Sequence, residues 1–281
     1  MKKLILYIFN DSSNVLDRIY DFLTTTLKLD KIEIGCLTTL DRLYISKKCR
    51  YVLLDNRAYS KKTFSVESVL NYYEIFRNNK NNREYTFVVP DYIEDYEKTI
   101  LEQEKFLDVF LSRFDRNELE NFIFVLQGRY TSDYVIHLKK LRDLLEKYKV
   151  FDNKIVKIGI GGLKAKGRKL KTKLDIVKTI YNEIEKIRKE YTGTKIHLHV
   201  FGFDRKLFIN IRNLIDSIDL STMNWYKRSS DRILLSGHGA VHVKVSTQLR
   251  ELILREIPSA IDIEDTYIKY IIDIVYLYNK D

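Results

Sequence analysis

The sequence predicts an α/β fold, a (β/α)8 barrel of regular or irregular build. About eight short runs of β-branched and aromatic residues alternate with longer segments that carry apolar residues at helical spacing. Strands separated by helices pair in parallel through right-handed crossovers. The chain of 281 residues also suits a single barrel, which typically takes about 250 residues. A doubly wound open sheet is the alternative.

The strand candidates begin with the apolar run Leu4–Phe9. This run is short, continues directly into Asp11 and lacks a small-residue cleavage site, so we interpret it as a first strand rather than a signal peptide. The further strand candidates are Ile32–Cys36, Tyr51–Leu54, Thr86–Val89, Phe122–Leu126, Ile155–Ile160, Ile196–Phe201 and Ser217–Leu220.

The helix candidates show apolar residues three and four positions apart. In Ser132–Tyr148 these are Leu138, Leu141, Leu144 and Leu145. The other helix candidates are Ser13–Thr26, Val66–Asn78, Asp95–Arg113, Lys173–Glu190, Arg205–Ile215 and Ile261–Tyr278.

Nothing in the sequence marks a domain boundary. Only Pro90 and Pro258 interrupt the chain, and no Gly/Ser/Pro-rich linker occurs. We therefore expect one barrel domain over residues 1–281. The segment Ile261–Tyr278 is apolar around much of its circumference, and we expect it to close the barrel; a contact in a homodimer is the alternative.

The balance of charges is basic. Lys and Arg together number 49 against 39 for Asp and Glu, which gives a net charge of +10. An excess of this size suits a polyanionic partner such as nucleic acid, although a solvated Lys/Glu-rich surface would also produce it.

Cysteines and histidines indicate no metal site. The two cysteines, Cys36 and Cys49, form no CxxC motif, and His238 and His242 have no thiolate partners. So few cysteines indicate a reducing compartment. No run reaches the roughly 18 apolar residues that indicate a membrane span. We expect a cytoplasmic protein that uses no cofactor.

Polar residues and glycines follow the strand candidates in series. Asp55, Asp91, Gln127 and Gly161-Gly162 each come after one strand, and Asp219 lies in the last. The carboxyl ends of barrel strands meet at one rim, where active sites lie. These residues also have purely structural interpretations: Asp91 could cap a helix, and Gly161-Gly162 could be only a tight turn.

Four short motifs in this series resemble those of the guanine transglycosylases, the base-exchange enzymes of tRNA and of 7-deazaguanine DNA modification. The motifs are Asp55-Asn56-Arg57-Ala58-Tyr59, Leu126-Gln127-Gly128, Ile160-Gly161-Gly162-Leu163 and Asp216-Ser217-Ile218-Asp219. They occur in the family's order, and the resemblance covers about residues 51–232.

The resemblance implies an enzyme that replaces a target guanine in nucleic acid with a 7-deazaguanine base. The nucleophile that would hold the sugar covalently matches Asp219, and the general acid and base matches Asp55. The residues matched to recognition of the base are Asp91, Gln127, Gly161, Gly162 and Leu163. Tyr59 and Phe201 match the residues that would stack on its two faces, although both could be core residues.

The sequence departs from the family pattern at several points. Asn56-Arg57 stands where the family has Ser-Gly, and Arg129 stands where the tRNA enzymes have a second Gly. The family's zinc motif of three Cys and one His is absent from the sequence, which favours DNA slightly over tRNA as the substrate. His197 and His199 alternate with Leu198 along a strand, and we expect them to be barrel residues rather than ligands.

Two basic clusters adjoin the predicted site and could contact phosphates. Their members are Lys164, Lys166, Arg168, Lys169, Lys171 and Lys173 in one, and Lys227, Arg228 and Arg232 in the other. A solvated loop and helix start is the alternative interpretation. Two further functions stay open, a non-catalytic nucleic-acid-binding relative and a barrel glycosidase, whose chemistry also uses paired carboxylates.

Overall fold

Eight parallel strands close into one barrel in the computed structural model, which describes residues 3–9, 32–40, 45, 48–58, 63–78, 82–165, 167–202 and 205–220. The strands are β1 (Leu4–Phe9), β2 (Ile32–Thr39), β3 (Tyr51–Asp55), β4 (Glu84–Val88), β5 (Phe122–Leu126), β6 (Ile155–Ile160), β7 (Lys195–Val200) and β8 (Ser217–Leu220). Each pairs with the next in sequence, and β8 pairs with β1. The predicted (β/α)8 barrel is thereby confirmed, and the open sheet is excluded.

Five helices follow strands β3 to β7 in the described part of the chain. They are α1 (Val66–Arg77), α2 (Tyr96–Leu111), α3 (Thr131–Lys147), α4 (Leu170–Glu190) and α5 (Arg205–Ile211). Side chains cap two of them, since Ser65 accepts a hydrogen bond from Ser68 N and Asp95 accepts one from Lys98 N. Two short 3-10 helices, Arg116–Asn121 and Val150–Asp152, precede β5 and β6. The predicted helices Ser13–Thr26 and Ile261–Tyr278 lie outside the described residues.

The core has two layers, because successive side chains of a strand point to opposite faces. The outer layer lies between the strands and the helices. There Tyr73 of α1 packs edge-on or tilted against Phe87, Phe110 and Phe122, with ring centroids 4.7–5.9 Å apart.

The barrel interior is filled with side chains rather than open. Its buried cluster consists of Tyr7, Leu37, Leu53, Val88, Ile123 and Val125, with Ile5, Tyr51 and Phe201 packed against it. Glycines make room for two of its rings. A Cβ at Gly35 would lie 2.6 Å from Tyr7 Cδ1, and a Cβ at Gly159 would lie 2.5 Å from Phe201 Cε2.

Cys36 and Cys49 form a disulfide that joins β2 to the residues before β3, with 6.0 Å between the Cα atoms. This pairing differs from the expectation of a reducing compartment, where disulfides are rare. Within the described ranges, no helix combines the length and the apolar character that crossing a membrane requires.

Candidate active site

The predicted polar residues meet at the carboxyl rim of the barrel. Asp55 is the last residue of β3, Asp91 and Gln127 follow β4 and β5, and Asp219 lies in β8. Asp91, Gln127 and Asp219 are between 1% and 3% exposed, and Asp55 is half-buried. Three carboxyl groups therefore share one end of the barrel, and two of them are almost fully buried.

Asp91 is held by side-chain amides at both carboxylate oxygens. Asn56 Nδ2 donates to Oδ1 over 2.6 Å, and Gln127 Nε2 donates to Oδ2 over 2.5 Å. The helix-cap interpretation of Asp91 is wrong, since Asp95 caps the helix that follows. Asn56, which differs from the pattern of the resembled family, is thus a hydrogen-bond partner of Asp91.

Gly161 and Gly162 lie directly against the amide of Gln127. A Cβ at Gly161 would stand 2.3 Å from Gln127 Nε2, and one at Gly162 would stand 2.7 Å from Gln127 Oε1. Gly162 also has a φ of +69°, a conformation that glycine adopts without strain. The pair is therefore more than a turn, because it allows the backbone to approach the buried amide. The side chain of Leu163 is packed in the outer core layer.

Two further buried polar side chains, His137 of α3 and Gln103 of α2, form a hydrogen-bonded row with Gln127. The backbone N–H of Gln127 donates to His137 Nδ1 over 3.0 Å, and His137 Nε2 lies 3.4 Å from Gln103 Oε1. Burial lowers the pKa of His137 to about 4, so the ring is neutral and Nδ1 can accept. The sequence pattern did not identify either residue.

Asp219 is anchored through one oxygen. Gly202 N donates to Asp219 Oδ1 over 2.6 Å, and His199 Nε2 lies 3.6 Å from the same oxygen. Among the described residues, no hydrogen bond reaches Oδ2. The other aspartate of the motif, Asp216, points to the opposite face of β8 and pairs with Arg188 over 3.0 Å.

Burial changes the proton affinity of Asp55 and of Asp91. Burial, followed by the charges of Asp91 and Asp219, raises the pKa of Asp55 to about 7. Burial also raises the pKa of Asp91 to about 6, and the amide donors Asn56 and Gln127 oppose that rise. Asp55 is consequently near its titration midpoint at neutral pH.

Arg57 occupies the position where the resembled family has glycine, and it keeps a left-handed backbone with a φ of 64°. Its N–H donates to Asp55 Oδ1 over 3.3 Å, and the next N–H, of Ala58, donates to Asn56 Oδ1 over 3.0 Å. The turn thus ties both side chains to the backbone, although a non-glycine residue in this conformation costs about 1 kcal/mol.

The side chain of Arg168 does not lie where the predicted phosphate contact requires it. Its side chain is only 4% exposed, and its terminal nitrogens donate to Tyr134 Oη, Gly162 O, Gly128 O and Arg129 O over 2.8–3.0 Å. It also pairs with Glu94 over 3.3 Å. The guanidinium therefore joins the loops after β4, β5 and β6 instead of facing solvent.

Some of the other residues predicted to contact phosphate or the base lie in the described part of the chain, and some do not. Lys169 and Lys171 are exposed at the start of α4, whereas Lys164 and Lys173 are half-buried. Phe201 lies against Gly159 and His199 with part of its ring exposed, so it belongs to the interior cluster and also reaches the rim. Tyr59, Lys166, Lys227, Arg228 and Arg232 lie outside the described residues.

No protein-family model matches the chain, and a comparison with curated proteins gives no match either. In the described part of the chain, no group of three or more His, Cys, Asp or Glu side chains could hold a metal ion. What the site does has to be inferred from its own residues.

The raised pKa of Asp55 predicts a loss of stability as the pH rises. Between about pH 4 and pH 7 the folded chain holds a proton on Asp55 that the unfolded chain releases, so the free energy of unfolding falls across this window. Asp55→Asn should remove on the order of 2 kcal/mol of that fall. Urea unfolding at pH 5 and pH 8 checks this, with the exposed Asp143→Asn as the control. Equal pH slopes in all three proteins would contradict the assignment.

The position of Arg168 predicts a structural role that the neighbouring Lys169 lacks. Arg168→Met leaves the part-buried carbonyls of Gly128 and Gly162 without their charged donor and should lower the free energy of unfolding by roughly 2–4 kcal/mol. Lys169→Met should change it by less than about 0.5 kcal/mol. Denaturant unfolding of the two variants measures the difference. A stable Arg168→Met protein with weakened binding to nucleic acid would restore the phosphate interpretation.

Proposed function

We propose that this protein is a nucleic-acid guanine transglycosylase, which exchanges a target guanine for a 7-deazaguanine derivative through a covalent Asp219–sugar intermediate. The observation that carries the proposal is the trio of carboxyl groups at the barrel rim. One has a near-neutral pKa, one is held by two amides, and one has an oxygen that no hydrogen bond from a described residue reaches. These properties suit Asp55 to general acid and base catalysis, Asp91 to recognition of the guanine base, and Asp219 to nucleophilic attack.

Asp219 is suited to attack the anomeric carbon of the sugar. Gly202 N–H fixes Oδ1, which leaves an Oδ2 lone pair to form the new bond while the bond from the sugar to guanine N9 breaks. The electron pair of the broken bond goes to the departing base. A second displacement by the incoming base releases Asp219, and two inversions retain the configuration.

Asp55 is suited to move the protons of the two bases. With a pKa of about 7 it can give a proton to the departing guanine and then take one from the incoming base. The carboxyl group ends the cycle in the protonation state in which it began, so the exchange needs no further reactant.

Asp91 and Gln127 are suited to the hydrogen-bonding edge of guanine. The ring N–H and the exocyclic amine of guanine can replace the amide donors that occupy the two oxygens of Asp91. The Gln127 amide released by this exchange can donate to the carbonyl oxygen of the base. The close approach of Gly161-Gly162 adds backbone groups to the same site.

The proposal that the substrate is a nucleic acid rests on the charge of the chain and on its sequence. Lys169 and Lys171 are exposed at the first turn of α4, beside the Gly161-Gly162 loop, and the net charge of +10 favours a polyanion. Between the two polymers we propose DNA first, and the exchange assay with DNA or tRNA decides between them. The cytoplasmic location is proposed from this substrate alone, because the Cys36–Cys49 disulfide does not favour it.

Incubation with labelled guanine and with either DNA or tRNA tests the proposal. The wild type should incorporate label into one polymer, and Asp219→Asn should lower the rate roughly 1000-fold or more, because an amide cannot form the sugar ester. Asp216→Asn is the matched control from the same motif and should keep exchange, with its folding checked separately. Denaturing gels should show a protein–nucleic-acid adduct only where Asp219 is present.

Three results would contradict the proposal. Full exchange by Asp219→Asn would reject the nucleophile. Release of free base without incorporation would indicate a glycosidase, and salt-dependent binding without an adduct would indicate a non-catalytic nucleic-acid-binding protein.

A further inference from the structure

His199 is a buried histidine that faces the barrel interior from β7. Within the described residues, its Nε2 is the one buried side-chain nitrogen or oxygen without a hydrogen-bond partner. The atom lies 3.6 Å from Asp219 Oδ1, slightly beyond hydrogen-bonding distance. A polar atom left in this state inside a packed barrel costs free energy, so its position calls for an explanation.

A short hydrogen-bond chain determines which nitrogen of His199 carries the proton. Ser217 Oγ lies 2.6 Å from His197 Nε2 and 2.8 Å from His199 Nδ1. Burial lowers the pKa of His197 to about 3, so that ring is neutral. The serine hydroxyl has one proton, so within this hydrogen-bond chain it can donate to only one of the two rings, and it then accepts from the other.

Only one direction of this hydrogen-bond chain gives a favourable interaction between His199 and Asp219. If His197 donates to Ser217 and Ser217 donates to His199 Nδ1, the proton of His199 lies on Nε2 and points toward the carboxylate. In the reverse direction an Nε2 lone pair would face a carboxylate oxygen 3.6 Å away, which is repulsive. The arrangement therefore selects the Nε2–H tautomer.

Neighbouring rings fix the orientation of the imidazole. The ring of Phe201 meets it edge-on at 4.3 Å, and the ring of Tyr7 does so at 5.8 Å. Phe201 is itself seated against Gly159 of β6, where a side chain would collide with it. His199 thus faces Tyr7 from β1, and Ser217 and Asp219 from β8, in one defined geometry.

We propose that His199 is a positioning residue for Asp219. Its Nε2–H, directed by Ser217, points to Oδ1, which Gly202 N–H already binds, and on substrate binding would hold that oxygen so that Oδ2 is presented to the sugar. The inference rests on the proposed function, in which Asp219 is the nucleophile. Hydrogen bonds at catalytic groups commonly tighten when substrate binds, and a contraction of roughly 0.5 Å would complete this one.

The N–H should matter most when Asp219 leaves the sugar. A free carboxylate carries a full negative charge, whereas an ester oxygen carries little, so the donor stabilises the departing carboxylate more than the covalent intermediate. Loss of the donor should slow breakdown of the intermediate more than its formation, and the adduct should accumulate.

Three variants separate positioning from packing. His199→Phe keeps a ring without a donor and should slow adduct breakdown by roughly 10- to 100-fold. His199→Gln restores an N–H and should recover most of that rate, to within about fivefold of the wild type. Ser217→Ala removes the hydroxyl that fixes the tautomer and should give an intermediate loss. Rapid-quench measurement of adduct formation and breakdown provides the readout, with thermal unfolding of each variant alongside.

A measurement that needs no activity keeps this inference distinct from the proposed function. Two-bond ¹H–¹⁵N spectra of the wild type should show His199 as the Nε2–H tautomer, and its ¹⁵N shifts should change in Asp219→Asn. A wild type that exchanges no base would reject the proposed function while the spectra still decide the tautomer. An Nδ1–H tautomer, or equal adduct breakdown in His199→Phe and the wild type, would overturn the role of His199.

Discussion

The pairing of β8 with both β7 and β1 is the constraint on which the site depends. Strand β8 has only four residues, and its ladders to the two neighbouring strands close the barrel. Closure places Asp219 at the same rim as Asp55 and Asp91, so that carboxyl groups far apart in sequence influence one another. Without the β8–β1 ladder this strand order would leave β1 and β8 at opposite edges of an open sheet, and these charges would not meet.

Bringing three carboxyl groups to one rim is unfavourable, and the chain offsets the cost differently at each. Asp91 receives two short amide hydrogen bonds, which hold its pKa below that of Asp55. From the described residues Asp55 receives backbone N–H groups alone, and it remains easier to protonate. Environments that separate the pKa values of neighbouring carboxyl groups are also the ones that assign acid, base and nucleophile roles. The cost of burial and the proposed chemistry therefore have one physical origin.

The sequence was sufficient for the barrel and for much of the rim, for a geometric reason. β-Branched runs predict the strands, and the carboxyl ends of parallel strands must share a rim, so Asp55, Asp91 and Gln127 could be placed together without knowing any contact. The predicted bounds of single elements were less exact. Strand β4 begins at Glu84 rather than at the predicted Thr86, and helix α5 ends at Ile211 rather than at the predicted Ile215.

The partners of these residues could not be predicted in the same way. Arg168 and Lys169 are adjacent and both basic, yet only the first meets carbonyls from loops about 40 residues away. Asn56 differs from the family pattern, and its bond to Asp91 spans 35 residues. No local periodicity encodes such contacts, because they depend on how separate loops meet above the barrel. The Cys36–Cys49 pairing was missed for a related reason, since a spacing of 13 residues matches no known motif.

A crystal structure with guanine bound would show whether the carboxyl groups of the rim form a purine site. We expect the ring N–H and the exocyclic amine of guanine to lie about 2.7–3.2 Å from the two oxygens of Asp91, with the Gln127 amide turned to the base carbonyl. A structure at saturating guanine in which the Asp91–Gln127 bond is intact and the base is bound elsewhere, or nowhere, would contradict it.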